Sequence, residues 1–197
     1  MQKSVFMVAS DLFRLSDVDE IHPVKLQKLV YYAFGWYAKL TSRALFGQKF
    51  YAMKHGPVVG ELLTAHMKKT SVSRELMESA SDAFGDSPQD ADPFYDAVLN
   101  AVLDFYGKFD TWSLRDKSHE EQVWIEAWGK RTGERSEILA EDIIDYFLLR
   151  TDTPEELLKK LPESQVTYLS SDHFDFLERM DWEFPESFVR SIRKALK

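Results

Sequence analysis

Between Lys28 and Lys39 the chain reads LVYYAFGWYA, ten consecutive residues without a charge. The run lies inside a longer helical pattern that opens at His22-Pro23, and a proline suits a first helical position because its missing N–H has no partner there. Leu26, Leu29, Val30, Ala33, Tyr37 and Leu40 form one wide apolar face, while Tyr31, Tyr32, Phe34 and Trp36 spread aromatic surface round most of the remaining circumference. A helix that is apolar all round either sits at the centre of a domain or keeps one face for a partner. The central position is the preferred reading. Base stacking or a ligand cage is the competing use of so many rings. The run is far too short to cross a membrane.

Other segments supply material to surround such a helix. Val5, Val8, Ala9, Leu12 and Phe13 keep a three/four rhythm that SDVDE breaks. From Ala44 to Met53 the rhythm fails, and QKFYAM reads as one short strand, paired at most in a small hairpin. Pro57 is expected to restart a helix carrying Val58, Leu62, Ala65 and His66 on one side. Residues 70–92 are rich in Ser, Asp, Gly and Pro and read as a surface loop with one short helical turn. Asp92-Pro93 opens a helix that runs to Gly107. Ser118 with Glu121, and Thr153 with Glu156, have the spacing of capping boxes. Ile138 to Leu149 is another helix, and Phe174–Met180 and Phe184–Leu196 are short amphipathic segments. The expectation is a mainly α protein: one compact helical domain over 1–150 with at most a small β-hairpin, then a 151–197 extension of short helices.

Charge narrows the choice of partner. With 25 Lys and Arg against 33 Asp and Glu the net charge is -8, which argues against a nucleic-acid surface and suits a partner with a basic one. The last segment places Arg190, Arg193, Lys194 and Lys197 opposite Phe184, Phe188, Ile192 and Leu196. Such a helix is read as packing on its own domain rather than on a membrane. There is no cysteine, so disulfides, thiolate nucleophiles and cysteine-held metals are excluded. The opening MQKSVFMVASDLF is too short in apolar residues for a signal segment. A cytoplasmic protein without a membrane partner is expected.

The stretch KHGPVVG is the most site-like in appearance. No Walker-type loop, no G-x-G-x-x-G and no G-x-S-x-G occurs, and Pro57 removes an amide donor that a phosphate cradle needs. The five histidines stand at 22, 55, 66, 119 and 173. His55 and His66 are eleven apart, which is no ligand spacing. His119-Glu120-Glu121 is the densest ligand-like cluster, but acidic side chains also favour a helix start. No metal, no cofactor and no catalytic residue is expected on this reading. The alternative is a small hydrolase or transferase in which His55, His119 and Glu120 meet in three dimensions as acid and base. On backbone grounds alone, Gly56 and Pro57 mark a corner between a strand and a helix.

Three blocks, in order, resemble the Panacea-domain antitoxins, the SocA-like or GepA-like phage-associated proteins. VKLQKLVYYAFGWYAKLTSRALF is similar to their Lys-Leu-x-Lys-Leu-x-Tyr-Tyr helix, YAMKHGPVVGEL to their Gly-Pro-Val block, and VLDFYGKFDTWSLRDKSHEEQVWIEA to the third. The matching positions are Lys28, Leu29, Tyr31, Tyr32, Trp36, Lys54, Gly56, Pro57, Val58, Tyr106, Gly107, Leu114, His119, Glu120 and Trp124, with His55 beside them. Ser118 stands where the family has threonine, Val123 where it often has proline, and the likeness fades beyond about residue 135. The resemblance implies a non-enzymatic antitoxin that binds a protein toxin encoded beside it. In one branch it implies a proteolytic adaptor that delivers the toxin to an AAA+ protease. It marks Lys28, Tyr31, Tyr32, Trp36, Lys54, His55, Gly56, Pro57, His119, Glu120 and Trp124 as motif residues available for toxin binding.

Overall fold

In the computed structural model, which describes residues 3–87 and 90–166, the aromatic run forms the middle of α2 (Pro23–Thr41). His22 caps its start by accepting from the Val24 N–H, and Ser42 closes it in the left-handed conformation. Leu26 through Trp36 are all buried, so the central reading holds. Phe34 at 0% exposure contributes about 2 kcal/mol by leaving water. Around α2 pack α1 (Val5–Arg14), α5 (Pro93–Tyr106), α6 (Thr111–His119) and α8 (Ala140–Leu149). Tyr32 stacks on Tyr106 with ring centroids 3.8 Å apart. Phe147 meets Tyr31 and Trp36 edge-on. A glycine in mid-helix costs up to about 1 kcal/mol, and Gly35 repays this by contact: a Cβ there would run into the Phe147 ring.

The helices expected at Val5–Phe13 and Asp92–Gly107 are present, capped by Ser4 and Asp92. The expected loop at 70–92 instead holds an 11-residue helix in its middle. Ser73 accepts from the Leu76 N–H and opens α4 (Arg74–Phe84), and Gly85 closes it at φ +91°. Its apolar face is slight, with Met77 the one buried apolar residue. Packing on α1 and a hydrogen bond from the Ser81 hydroxyl to Asp86 (2.7 Å) supply what periodicity lacked.

Strand content also exceeds one hairpin. β2 (Phe50–Met53) pairs antiparallel with β3 (Gly56–Val59) on one side and with β5 (Ser136–Ile138) on the other. A second, two-stranded sheet joins β1 (Glu20–Ile21) to β4 (Val72–Ser73). Pro57 therefore does not start a helix. It faces Ala52 across the hairpin, and α3 (Gly60–Ala65) begins three residues later. Proline is tolerated because β3 is an edge strand.

Neither expected capping box forms. Ser118 lies in the last turn of α6, where its hydroxyl donates to the Arg115 carbonyl at 2.7 Å. Glu121 stands at the cap of α7 (Gln122–Gly129) but turns its carboxylate to Tyr32 and Arg150. α9 (Glu155–Leu158) has Pro154 at its cap with no side-chain bond. Ile138 belongs to β5, so α8 starts only at Ala140. The chain divides into the units Met1–Gln165 and Val166–Lys197. Within the first, α9 packs on α5 and the Gln165 N–H bonds to the Leu40 carbonyl (2.8 Å). His173 and the segments Phe174–Met180 and Phe184–Leu196 lie outside the described residues. Among the described residues no helix is long and apolar enough to cross a membrane.

Candidate functional site

The phase of the β2–β3 hairpin decides what its tip can do. Gly60 N–H bonds to the Lys49 carbonyl at 3.2 Å, so alternate pairs inward from there are hydrogen-bonded and those between are not. Val59 and Pro57 fall in the non-bonded pairs, with their main-chain groups turned away from β2. Buried groups of this kind need partners. α2 supplies them from two neighbouring side chains. Gln27 accepts from the Val59 N–H (2.9 Å) and donates to its carbonyl (3.4 Å). Lys28 donates to the Pro57 carbonyl (2.6 Å). Lys25 and Lys39 act similarly, donating to the Gly107 carbonyl (2.8 Å) and to those of Phe147 and Arg150 (3.1 and 2.7 Å). Cations complement carbonyls at helix ends. The lysines of α2 thus fasten three neighbouring elements.

Lys28 is fully buried, and its ammonium has no carboxylate partner among the described residues. Burial, and then the nearby Arg115, hold its pKa well below the ordinary lysine value. Gly56 fits against it at φ +91°: a Cβ there would come within 2.8 Å of Lys28 Nζ and closer still to the Ser118 hydroxyl. The third motif block closes the other side. Trp124 donates its indole N–H to the Met53 carbonyl at 3.2 Å. His119 stacks on Trp124, centroids 4.1 Å apart, and its buried Nε2 has no hydrogen-bond partner among the described residues. His119 titrates below the usual range through burial, then Lys28 and Arg115. For His55 the order is burial, Lys54 and Arg115.

Among the motif residues, Lys28, Lys54, His55, Gly56, Pro57, His119 and Trp124 therefore gather round the hairpin tip. Tyr31, Tyr32 and Trp36 do not. They are fully buried, and they belong to a second polar cluster, where Tyr32 donates to Glu121 (3.1 Å), Arg150 holds the same carboxylate (2.8 Å) and Trp36 donates to Tyr106 (3.1 Å). Tyr31 Oη has no hydrogen-bond partner among the described residues. Glu120 is exposed, with no side-chain bond among the described residues.

Acid–base catalysis needs a nucleophile within hydrogen-bond reach of its base. The Ser118 hydroxyl is engaged with Arg115, His119 is pressed on Trp124, and His55 meets the edge of Trp112 at 6.1 Å. No hydrogen bond joins His55, His119 and Glu120.

Sequence reasoning passed over Trp112, Arg115 and Gln27. Trp112 is 51% exposed and is flanked by His22, His55 and the Arg115 guanidinium. The signal was there: Asp110 accepts from the Trp112 and Ser113 N–H groups, starting α6, and an aspartate before such a stretch is a helix-start pattern.

A family model, antitoxin SocA-like, Panacea domain, matches residues 26–125, the span that holds the matching positions of the three blocks. The match spans just over half of the 197 residues. The chain belongs to this family. No curated protein and no solved structure matches it. The Panacea match runs from within α2 to within α7, and so takes in the hairpin, its Gln27–Lys28 fastening and the His119–Trp124 stack. α8 lies outside it, although Phe147 and Arg150 pack on the Panacea helix α2.

Proposed function

We propose that this protein is an antitoxin that neutralises a protein toxin encoded beside it by direct binding, without performing chemistry on it. Membership of the SocA-like Panacea family carries the reading. The geometry of the hairpin tip is compatible with it: the motif residues there are held by packing and by main-chain hydrogen bonds, an arrangement that stabilises a recognition surface. Exposed Trp112 with Arg115 beside it has the composition of an interface anchor. The finer form of the proposal is a cytoplasmic adaptor that passes the bound toxin to an AAA+ protease. In that form the 151–197 extension acts with the 1–150 body in partner contact.

Co-expression tests the reading. The neighbouring gene alone should arrest growth, and this chain should relieve the arrest while forming a purifiable complex. Arrest without relief overturns the proposal. The adaptor form adds that toxin half-life shortens when chain and protease are both present, and an unchanged half-life limits the mechanism to occlusion.

A further inference from the structure

Beside the hairpin tip lies a cleft of about 270 Å³, bounded by the first turns of α2, the tip itself and the chain after α3. Its lining runs against the charge of the whole molecule. Of its thirteen described lining residues four are lysines, two are histidines and none is acidic, in a chain of net charge -8. Lys54, Lys68 and Lys69 are exposed and have no carboxylate partner among the described residues. Elsewhere Lys49, Lys108, Lys159 and Lys160 each hold one. Between these cations the wall is aliphatic, with Val58, Leu63 and Met67 prominent. Met67 is 56% exposed, a large flexible side chain of the kind that adapts to a bound apolar group.

We infer that this cleft docks a protein segment in which an apolar side chain is flanked by carboxylates. The apolar group seats on Val58, Leu63 and Met67, and the carboxylates reach Lys54 and Lys69. The inference rests on the antitoxin reading in one respect, that the toxin supplies the segment. A nucleic acid is the poorer fit: the described lining offers no Trp, Tyr or Phe face for a base to stack on, only the imidazoles of His55 and of buried His66, and the acidic remainder of the molecule repels a phosphate chain that extends beyond it. A short acidic-apolar segment meets only the local field.

Two arms of one experiment test this on the full chain. In the first, the probe is an acetylated, amidated peptide with a central Leu-Phe pair between glutamates, titrated against its glutamine twin and against a thymidine oligonucleotide of equal length. The glutamate peptide should bind at least about tenfold more tightly than its twin, and the Lys54→Glu/Lys69→Glu double variant should erase the preference. Met67→Asp should weaken both peptides. No binding, equal binding of the twin, an unaffected double variant, or tighter binding of the oligonucleotide overturns the inference. In the second arm the double variant is tested in growth rescue. Rescue equal to wild type removes the cleft from toxin docking and leaves the antitoxin reading standing. Failure of the wild-type chain to rescue sinks that reading, and the peptide arm still reports on the cleft.

Discussion

Lys28 Nζ donates to the Pro57 carbonyl at 2.6 Å, so a helix side chain completes the open edge of β3 where a further strand would otherwise pair. The ammonium that does this is fully buried and has a depressed pKa, chiefly from burial and then from Arg115. An unfolded chain restores the ordinary lysine value, so between the two values the unfolded state binds more protons and stability rises with pH. Lys28→Met should flatten that rise. Urea midpoints at about pH 7 and about pH 9.5, below the ordinary tyrosine range, measure it. Parallel slopes in the two proteins would show that Lys28 is not the group responsible.

Gly56→Ala should destabilise by about 3 kcal/mol, combining left-handed strain with overpacking. The methyl would press on the Ser118 hydroxyl and on the Lys28 side chain at φ +91°. Gly85→Ala shares that φ but meets nothing within 4 Å, so it should cost less. Chemical denaturation of the pair separates strain from contact.

Glu121 and Arg150 form a largely buried ion pair at 2.8 Å. Removing Glu121 leaves the Arg150 guanidinium with only the exposed Asp152 carboxylate at 2.7 Å, and Glu121→Leu should cost about 3 kcal/mol, the low end for a broken buried pair. Glu121→Leu with Arg150→Met should cost clearly less than the sum of the single changes, because no orphan charge remains. A double-mutant cycle reads the difference. Additive losses would mean the pair is uncoupled.

Acid should loosen the hairpin from α2. Gln27 accepts from the Val59 N–H, so its amide nitrogen faces His66 Nε2 at 3.0 Å as donor, and His66 must be neutral at that nitrogen. Burial lowers the pKa of His66, and His55 and His119 are lowered as well. Their folded forms bind fewer protons than the unfolded chain, so stability holds above the ordinary histidine value of about 6.5 and is lost as pH falls through the folded values. The thermal midpoint should drop between about pH 7 and about pH 5, and His66→Gln should reduce the drop. A wild-type midpoint flat across that window would refute the linkage.

Periodicity alone carried α1, α2 and α5, because their buried faces repeat within one element. α4 escaped it: Met77 is its one buried apolar residue, and what holds it is the face of α1. Pro57 misled for the same reason. Proline before an apolar run suits a helix start or an edge strand equally well, and only pairing with Ala52 decides between them. Ser118 and Glu121 had capping spacing, yet their side chains found Arg115, Tyr32 and Arg150.

By itself the sequence determined a central aromatic helix, a mainly helical domain round it and the three blocks that mark the family. Tertiary structure alone decided what those residues touch. Lys25, Lys28 and Lys39 look like polar interruptions along α2, but each reaches a carbonyl on an element distant in the chain. It also brought Lys54, Lys68 and Lys69 round one apolar cleft. A helical repeat encodes which face is buried. The partner of a lone donor depends on which distant main-chain group the fold leaves unpaired, and no local pattern carries that.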